Sequence, residues 1–213
     1  MGTDPFCPKN VQKGSVPILP NYNFPNLTKF FFLVLYLNFC YTIFVMENVE
    51  RYKHLNKYLK DKFGERTLKI CIDGGFTCPN RDGKVGIGGC IFCSEKGSGE
   101  HINSAKNITE QVENFFKSYK AERANKFIAY FQNFTNTYDA ISNLKEKYDA
   151  ALIDDRIIGL SIATRPDCIN EDIVKLLSSY INKYYVTVEL GLQTFSDTTA
   201  TLINRRIFKY RFY

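Results

Sequence analysis

From residue 67 onward the chain alternates strand-like and helix-like segments. That alternation restricts it to a parallel sheet whose strands are joined by right-handed helical crossovers. Strand-like runs fall at 67–72, 126–131, 157–163 and 185–190. Between them Ile108, Val112, Phe115, Phe116 and Tyr119 recur at helical spacing, and Asn107 with Glu110 reads as a capping box. Ile141, Leu144 and Tyr148 form a second helical face. Ile173, Val174, Leu177, Tyr180 and Ile181 form a third, opened by Asn170 and the acidic Glu171 and Asp172.

The strands have one greasy face and one small or polar face. Leu68, Ile70 and Ile72 oppose Lys69, Cys71 and Asp73; Ile158, Leu160 and Ile162 oppose Gly159, Ser161 and Ala163. In the last run Val186, Val188 and Leu190 oppose Thr187, Glu189 and Gly191. A doubly wound sheet, covered by helices on both sides, needs two apolar faces. The pattern instead predicts a curved sheet or barrel around a polar cavity. Polar residues cluster just after the strand ends: Gln132 and Asn133 after the second, Thr164, Arg165 and Asp167 after the third, and Gln193 after the fourth. Glu189 lies near the end of the fourth. In βα barrels that rim carries the active site.

After the first strand comes a glycine-rich loop with Cys78, Cys90 and Cys93 in a C-x(11)-C-x(2)-C spacing. Three thiolates can hold a four-iron cluster and leave one iron open to a second small molecule. Gly83, Gly86, Gly88 and Gly89 let the backbone turn sharply and approach the sulfurs. Zinc held by the three cysteines and His101 is the alternative, although His101 lies eight residues beyond Cys93, outside the usual ligand spacing.

With 213 residues, 45% hydrophobic and 23% charged, the chain is long enough for one domain with a real core. A net charge of +6 suits a nucleic-acid or phosphate-bearing partner but does not demand one, because no long basic run appears. Seven cysteines, an odd number, argue against a secreted disulfide framework and for a reducing, cytoplasmic setting. Cys7, Cys40, Cys71 and Cys168 stand apart and read as small buried or tail residues.

Residues 1–45 read as an extension outside the domain, and 46–213 as the domain itself. The apolar run 30–46 is seventeen residues long, at the lower limit for a membrane span, and its flanking charges give no orientation. A membrane anchor through 30–46, or a buried or interfacial segment, is kept as an alternative to upstream sequence that is not part of the functional protein. The text after Met46 predicts an amphipathic helix with Val49, Tyr52, Leu55, Leu59 and Phe63 on one face, ended by Gly64.

The strings DGGFTCPNRDG, GGCIFC, AYFQNFTNTYD, ATRPDC and VELGLQT, in this order over about residues 50–206, resemble the radical S-adenosylmethionine (SAM) superfamily, and within it the YhcC/YtqA-type subfamily related to the catalytic subunit of elongator. The resemblance implies a partial TIM-type (β/α) barrel of six units, in which Cys78, Cys90 and Cys93 hold a [4Fe–4S] cluster. It also implies SAM on the open iron, its reductive cleavage to a 5′-deoxyadenosyl radical, and a reductant such as a flavodoxin or ferredoxin. Arg165 is expected to pair with the SAM carboxylate. Glu189 and Gln193 are expected near its ribose or amino group, with Gln132 on the same rim. The elongator relationship suggests tRNA as substrate. Only four βα units are legible, and the ending IFKYRFY does not fit the family, so a truncated product with weak or no turnover is the expectation. A non-catalytic iron–sulfur or zinc-binding relic, or a membrane-anchored iron–sulfur protein, are the competing readings.

Overall fold

The computed structural model describes residues 51–97, 99–102 and 106–207. The expectations for 1–45 and for the apolar run 30–46 lie outside those residues. Among the described residues no helix is long and apolar enough to cross a membrane.

The fold is α/β. Four strands, β1 (Thr67–Ile72), β2 (Lys126–Phe131), β3 (Ile157–Thr164) and β4 (Tyr185–Leu190), form one parallel sheet in the order β1-β2-β3-β4. Each crossover steps to the next strand in the same direction. Right-handed crossovers taken always in that direction put every helix on the same face of the sheet. This is the arrangement of a partial TIM-type barrel, and it explains the two-sided pattern of the strands.

The crossover helices are α2 (Ile108–Phe116), α3 (Ile141–Asp149) and α4 (Glu171–Tyr180). Val112, Leu144, Tyr148, Ile173, Leu177 and Tyr180 pack on Ile70, Ile72, Phe127, Phe131, Leu160 and Ile162 in one apolar core. Edge-to-face aromatic pairs, Phe115 and Phe116 on Phe127 and Tyr148 on Phe131, fix the register of helices on strands. The buried Tyr148 hydroxyl donates to the Asn136 carbonyl at 2.6 Å, so its polar end is satisfied inside the core.

The capping box at Asn107 and Glu110 forms as expected. Asn170 caps α4, its side chain accepting from the Ile173 amide. Several boundaries differ from the sequence reading. Among the described residues the helix expected after Met46 begins at Leu55 (α1, Leu55–Phe63), where the His54 side chain accepts from the Asn56 amide and caps it, and Val49 lies outside those residues. Tyr52 therefore lies outside the helix and is exposed, and Leu55 is half exposed. Tyr119 falls beyond the end of α2 and is exposed. In α4 the buried stripe is Ile173, Leu176, Leu177 and Tyr180, while Val174 and Ile181 face outward.

Helix α1 lies across the beginnings of the strands. The Lys126 ammonium donates to the Phe63 carbonyl, and Tyr58 and Phe63 meet Tyr185 at the start of β4. One end of the sheet is thereby covered, and the cysteine loop occupies the other. Along β4 the exposure rises, and Val188 and Leu190 are open at its far end. A short helix, α5 (Asp197–Leu202), follows β4, capped by Ser196.

Candidate functional site

The cysteine loop is built from tight turns. The Arg81 and Asp82 amides both donate to the Cys78 carbonyl, the Val85 amide to Pro79 and the Gly89 amide to Asn80. The chain then passes Gly88 and Gly89 with φ of 82° and 79° and turns again, the Cys93 amide donating to the Cys90 carbonyl. A side chain at Gly89 would be disfavoured twice. The φ is one that L-residues rarely adopt, and its Cβ would stand 2.9 Å from Arg81 Nε. Arg81 needs that space because its Nη2 donates to the carbonyls of Cys93 and Ser94, tying the two halves of the loop together.

This loop forms one wall of a cavity of about 540 Å³ at the C-terminal ends of the strands. Cys78, Cys90 and Cys93 all line it. So do Gln132 after β2, Arg165 after β3, Glu189 in β4 and Gln193 beyond it. Thus the seven residues singled out from the sequence share one cavity, although they come from four separate stretches of chain. Asn133 does not line it. Its side chain is buried, with both polar atoms unpartnered among the described residues. A slightly larger cavity, about 590 Å³, lies beside Cys168 and Asn170 and contains none of the seven, so its size does not make it the candidate site.

The three cysteines are free thiols. Among the described residues no three His, Cys, Asp or Glu side chains converge closely enough to ligate a single ion, and His101 is exposed. Thiolates that bind different irons of a cluster stand farther apart than ligands of one ion. Cys78, Cys90 and Cys93 share one cavity wall, and three thiols are the donor set that a cluster with one open iron would take. The polar atoms behind them support the same fit. Asn80 Nδ2 and Arg205 Nη1 lie 3.5 and 3.7 Å from Cys90 Sγ, and both residues are buried. Such donors favour an anionic sulfur.

Arg165 is 2% exposed and already engaged. Its Nε and Nη2 donate to Asp167 at 2.9 and 2.7 Å, and its Nη1 donates to the Arg205 carbonyl at 3.3 Å. Burial alone would lower the Arg165 pKa, but the Asp167 carboxylate more than offsets this and raises it. Arg165 therefore stitches the rim together.

Arg205 was not anticipated, nor were Asn80 and Asn204. Arg205 lines the cavity, its Nη2 donates to the Gly191 carbonyl, and its buried Nε has no partner among the described residues. Asn204, at φ 52°, donates from Nδ2 to the Gly89 carbonyl at 2.6 Å and receives Asn80 Nδ2 on its own carbonyl at 2.6 Å. The Ile91 amide donates to Ile203. The segment after α5 thus clasps the cysteine loop. These contacts join residues more than a hundred positions apart, and the sequence around them offers only an Asn-Arg pair after a capped helix.

Glu189 sits on the inner face of the sheet, where all four strands contribute to its surroundings. Lys69 from β1 makes a short ion pair with it, Tyr130 from β2 donates to its Oε2 at 2.8 Å, and Ser161 from β3 donates to its Oε1 at 3.3 Å. The Lys69 ammonium also lies 3.9 Å from the centre of the Tyr130 ring. Burial pushes the Glu189 pKa up, but the hydrogen bonds from Lys69 and Tyr130 outweigh it and hold the carboxyl below its usual range. Burial, reinforced by Glu189, raises the Tyr130 phenol. Glu189 therefore presents a fixed negative charge to the cavity. Its contribution to stability is present above the unfolded-state pKa of a glutamate and is lost as pH falls through the lowered folded value. Lys69→Gln should raise the Glu189 titration midpoint toward the ordinary glutamate value and narrow that acid-side loss. Carboxyl NMR against pH measures both.

Comparison with known proteins identifies the family. The family model described as "Radical SAM superfamily" matches residues 77–212. The protein YtqA of Bacillus subtilis is 46% identical over 165 residues, which is 76% of this chain and 51% of the relative. The protein YhcC of Escherichia coli K12 is 38% identical over 148 residues, 69% of this chain and 47% of the relative. A third, MJ0486 of Methanocaldococcus jannaschii, is 36% identical over 152 residues, 70% and 46%. The chain spans about half the length of the curated relatives it matches.

Proposed function

The chain belongs to the radical SAM superfamily, and we propose that its cavity binds a [4Fe–4S] cluster on Cys78, Cys90 and Cys93 together with SAM. The observation that carries this reading is the convergence of the three cysteines with Glu189, Gln193 and Arg205 on one cavity at the strand ends. Bound there, the cluster would supply one electron to SAM on its open iron, and cleavage of the sulfonium C–S bond would give methionine and a 5′-deoxyadenosyl radical.

The chain's own residues bind and orient. Cys78, Cys90 and Cys93 would hold the cluster by three thiolates, which would leave one iron for SAM. Arg205, with an unpartnered buried Nε–H, is our choice for the SAM carboxylate. Arg165 is our choice for holding the rim, because Asp167 and the Arg205 carbonyl occupy three of its five N–H groups. Glu189, kept ionised by Lys69 and Tyr130, accepts from the amino or ribose hydroxyl end. Gln193 and Gln132 border the same space. A low-potential flavodoxin or ferredoxin is the reductant in this reading. tRNA is the proposed substrate class, supported by the net charge of +6 and by the resemblance to the elongator subunit.

The test is anaerobic reconstitution with iron and sulfide, followed by dithionite and SAM. Methionine and 5′-deoxyadenosine should appear in equal amounts, at a low rate from this chain alone, and their formation should increase when tRNA is added. A protein that holds iron but yields neither product would overturn the enzymatic reading in favour of a non-catalytic metal-binding one. Equal products with no response to tRNA would overturn only the substrate class.

A further inference from the structure

The three cysteines do not share one environment. Cys90 is 6% exposed, whereas Cys78 and Cys93 are only partly buried. Its sulfur faces two side-chain donors, Asn80 Nδ2 at 3.5 Å and Arg205 Nη1 at 3.7 Å. No side-chain donor of this kind is seen on Cys78 or Cys93 among the described residues.

Both donors are held in place by other contacts. The Asn80 amide nitrogen has two protons and two acceptors, the Asn204 carbonyl at 2.6 Å and Cys90 Sγ. The Asn80 main-chain carbonyl accepts from the Gly89 amide at 2.9 Å, which fixes the residue against the strand of loop that carries Cys90. Arg205 is anchored through Nη2 on the Gly191 carbonyl. Asn80 is 0% exposed and Arg205 7%, so water does not compete strongly for either donor. Hydrogen bonds to a ligand sulfur, and a nearby positive charge, favour the electron-richer state of an iron–sulfur centre, and they do so more strongly in a buried setting.

We propose that Asn80 and Arg205 set the reduction potential of the cluster by donating to Cys90 Sγ, making Cys90 the tuned ligand of the three. The inference rests on the reading of Cys78, Cys90 and Cys93 as cluster ligands. The redox event is the uptake of one electron by the cluster from an added chemical reductant. Each lost donor makes that uptake less favourable.

The test is a redox titration of the reconstituted full chain, followed by electron paramagnetic resonance, for the parent, Asn80→Ala, Arg205→Gln and Asn204→Gly. Asn80→Ala should shift the reduction equilibrium about tenfold toward the oxidised state, a fall of about 59 mV for a one-electron couple. Arg205→Gln, which removes a charge as well as a donor, should lower the potential further. Asn204→Gly keeps the main-chain carbonyl that receives Asn80 and tolerates positive φ, but it loses the side-chain bond to Gly89. It should leave the potential where it is in the parent. If Asn80→Ala does not fold, Arg205→Gln against Asn204→Gly carries the comparison. Unchanged potentials in Asn80→Ala and Arg205→Gln, or an equal fall in Asn204→Gly, overturn the inference while iron content leaves the ligand assignment standing. A parent protein that takes up no iron overturns the ligand assignment itself.

Discussion

Arg165→Ala should destabilise the protein by about 3–5 kcal/mol, the range seen when one partner of a buried ion pair is removed. The Arg165 and Asp167 side chains are 2% and 8% exposed, and two parallel hydrogen bonds join them. Without the guanidinium, the Asp167 carboxylate stays in a dry setting deprived of its bidentate partner. The Arg205 carbonyl loses a donor at the same time, so the damage should reach the segment that clasps the cysteine loop. Arg165→Lys keeps the charge but not the planar fork, and should recover only part of the loss. Urea unfolding of the cluster-free protein measures this directly, with a lower midpoint and an unchanged slope as the expected signature. A loss under 1 kcal/mol would mean that the pair does not hold the rim.

The second large effect is chemical. Alanine at Cys78, Cys90 or Cys93 should each abolish stable iron and sulfide binding, whereas alanine at Cys71 or Cys168 should leave it intact. The contrast follows from where the thiols sit. Cys71 points into the inner face of β1, and burial raises its pKa. Burial, and after it the Asp167 charge, pushes the Cys168 thiol up to about 11. Burial thus opposes forming the thiolate at both, and the thiolate is the metal ligand. Cys168 also lines the other cavity. Iron, sulfide and visible absorption per chain, compared across the five variants, provide the readout. Full iron content in any of the first three would remove that cysteine from the ligand set.

Much of the fold was legible because strand and helix periods are local. The bounds of β1, β2 and β4 coincide with the apolar alternation of their own residues, and β3 runs one residue further, to Thr164. The inference from a one-sided strand pattern to a sheet with helices on a single face also holds, because it depends on chain direction and handedness. The misreadings arose at helix ends. Val174 and Ile181 are apolar and near the stripe, but the helical period selects Leu176 between Ile173 and Leu177, and Ile181 is already the cap. The start of α1 is capped by a histidine, a residue type that sequence patterns rarely assign to that role.

The candidate site was legible to the extent that its residues follow strand ends. Gln132, Arg165, Glu189 and Gln193 all meet the cysteines on one cavity for that reason. The partners of those residues were not legible. The Arg165 fork onto Asp167, the Lys69 and Tyr130 grip on Glu189 and the Asn80–Asn204 clasp are choices among neighbours in space, and each decides what its partner remains free to do.

The central claim is that three thiolates leave an iron open for SAM. Electron paramagnetic resonance of the reduced, reconstituted protein with and without SAM tests it most directly. The account predicts the signal of a reduced four-iron cluster, whose shape changes when SAM is added and reverts when SAM is removed. A four-iron signal indifferent to SAM, or a protein that stays colourless after anaerobic loading, would contradict it.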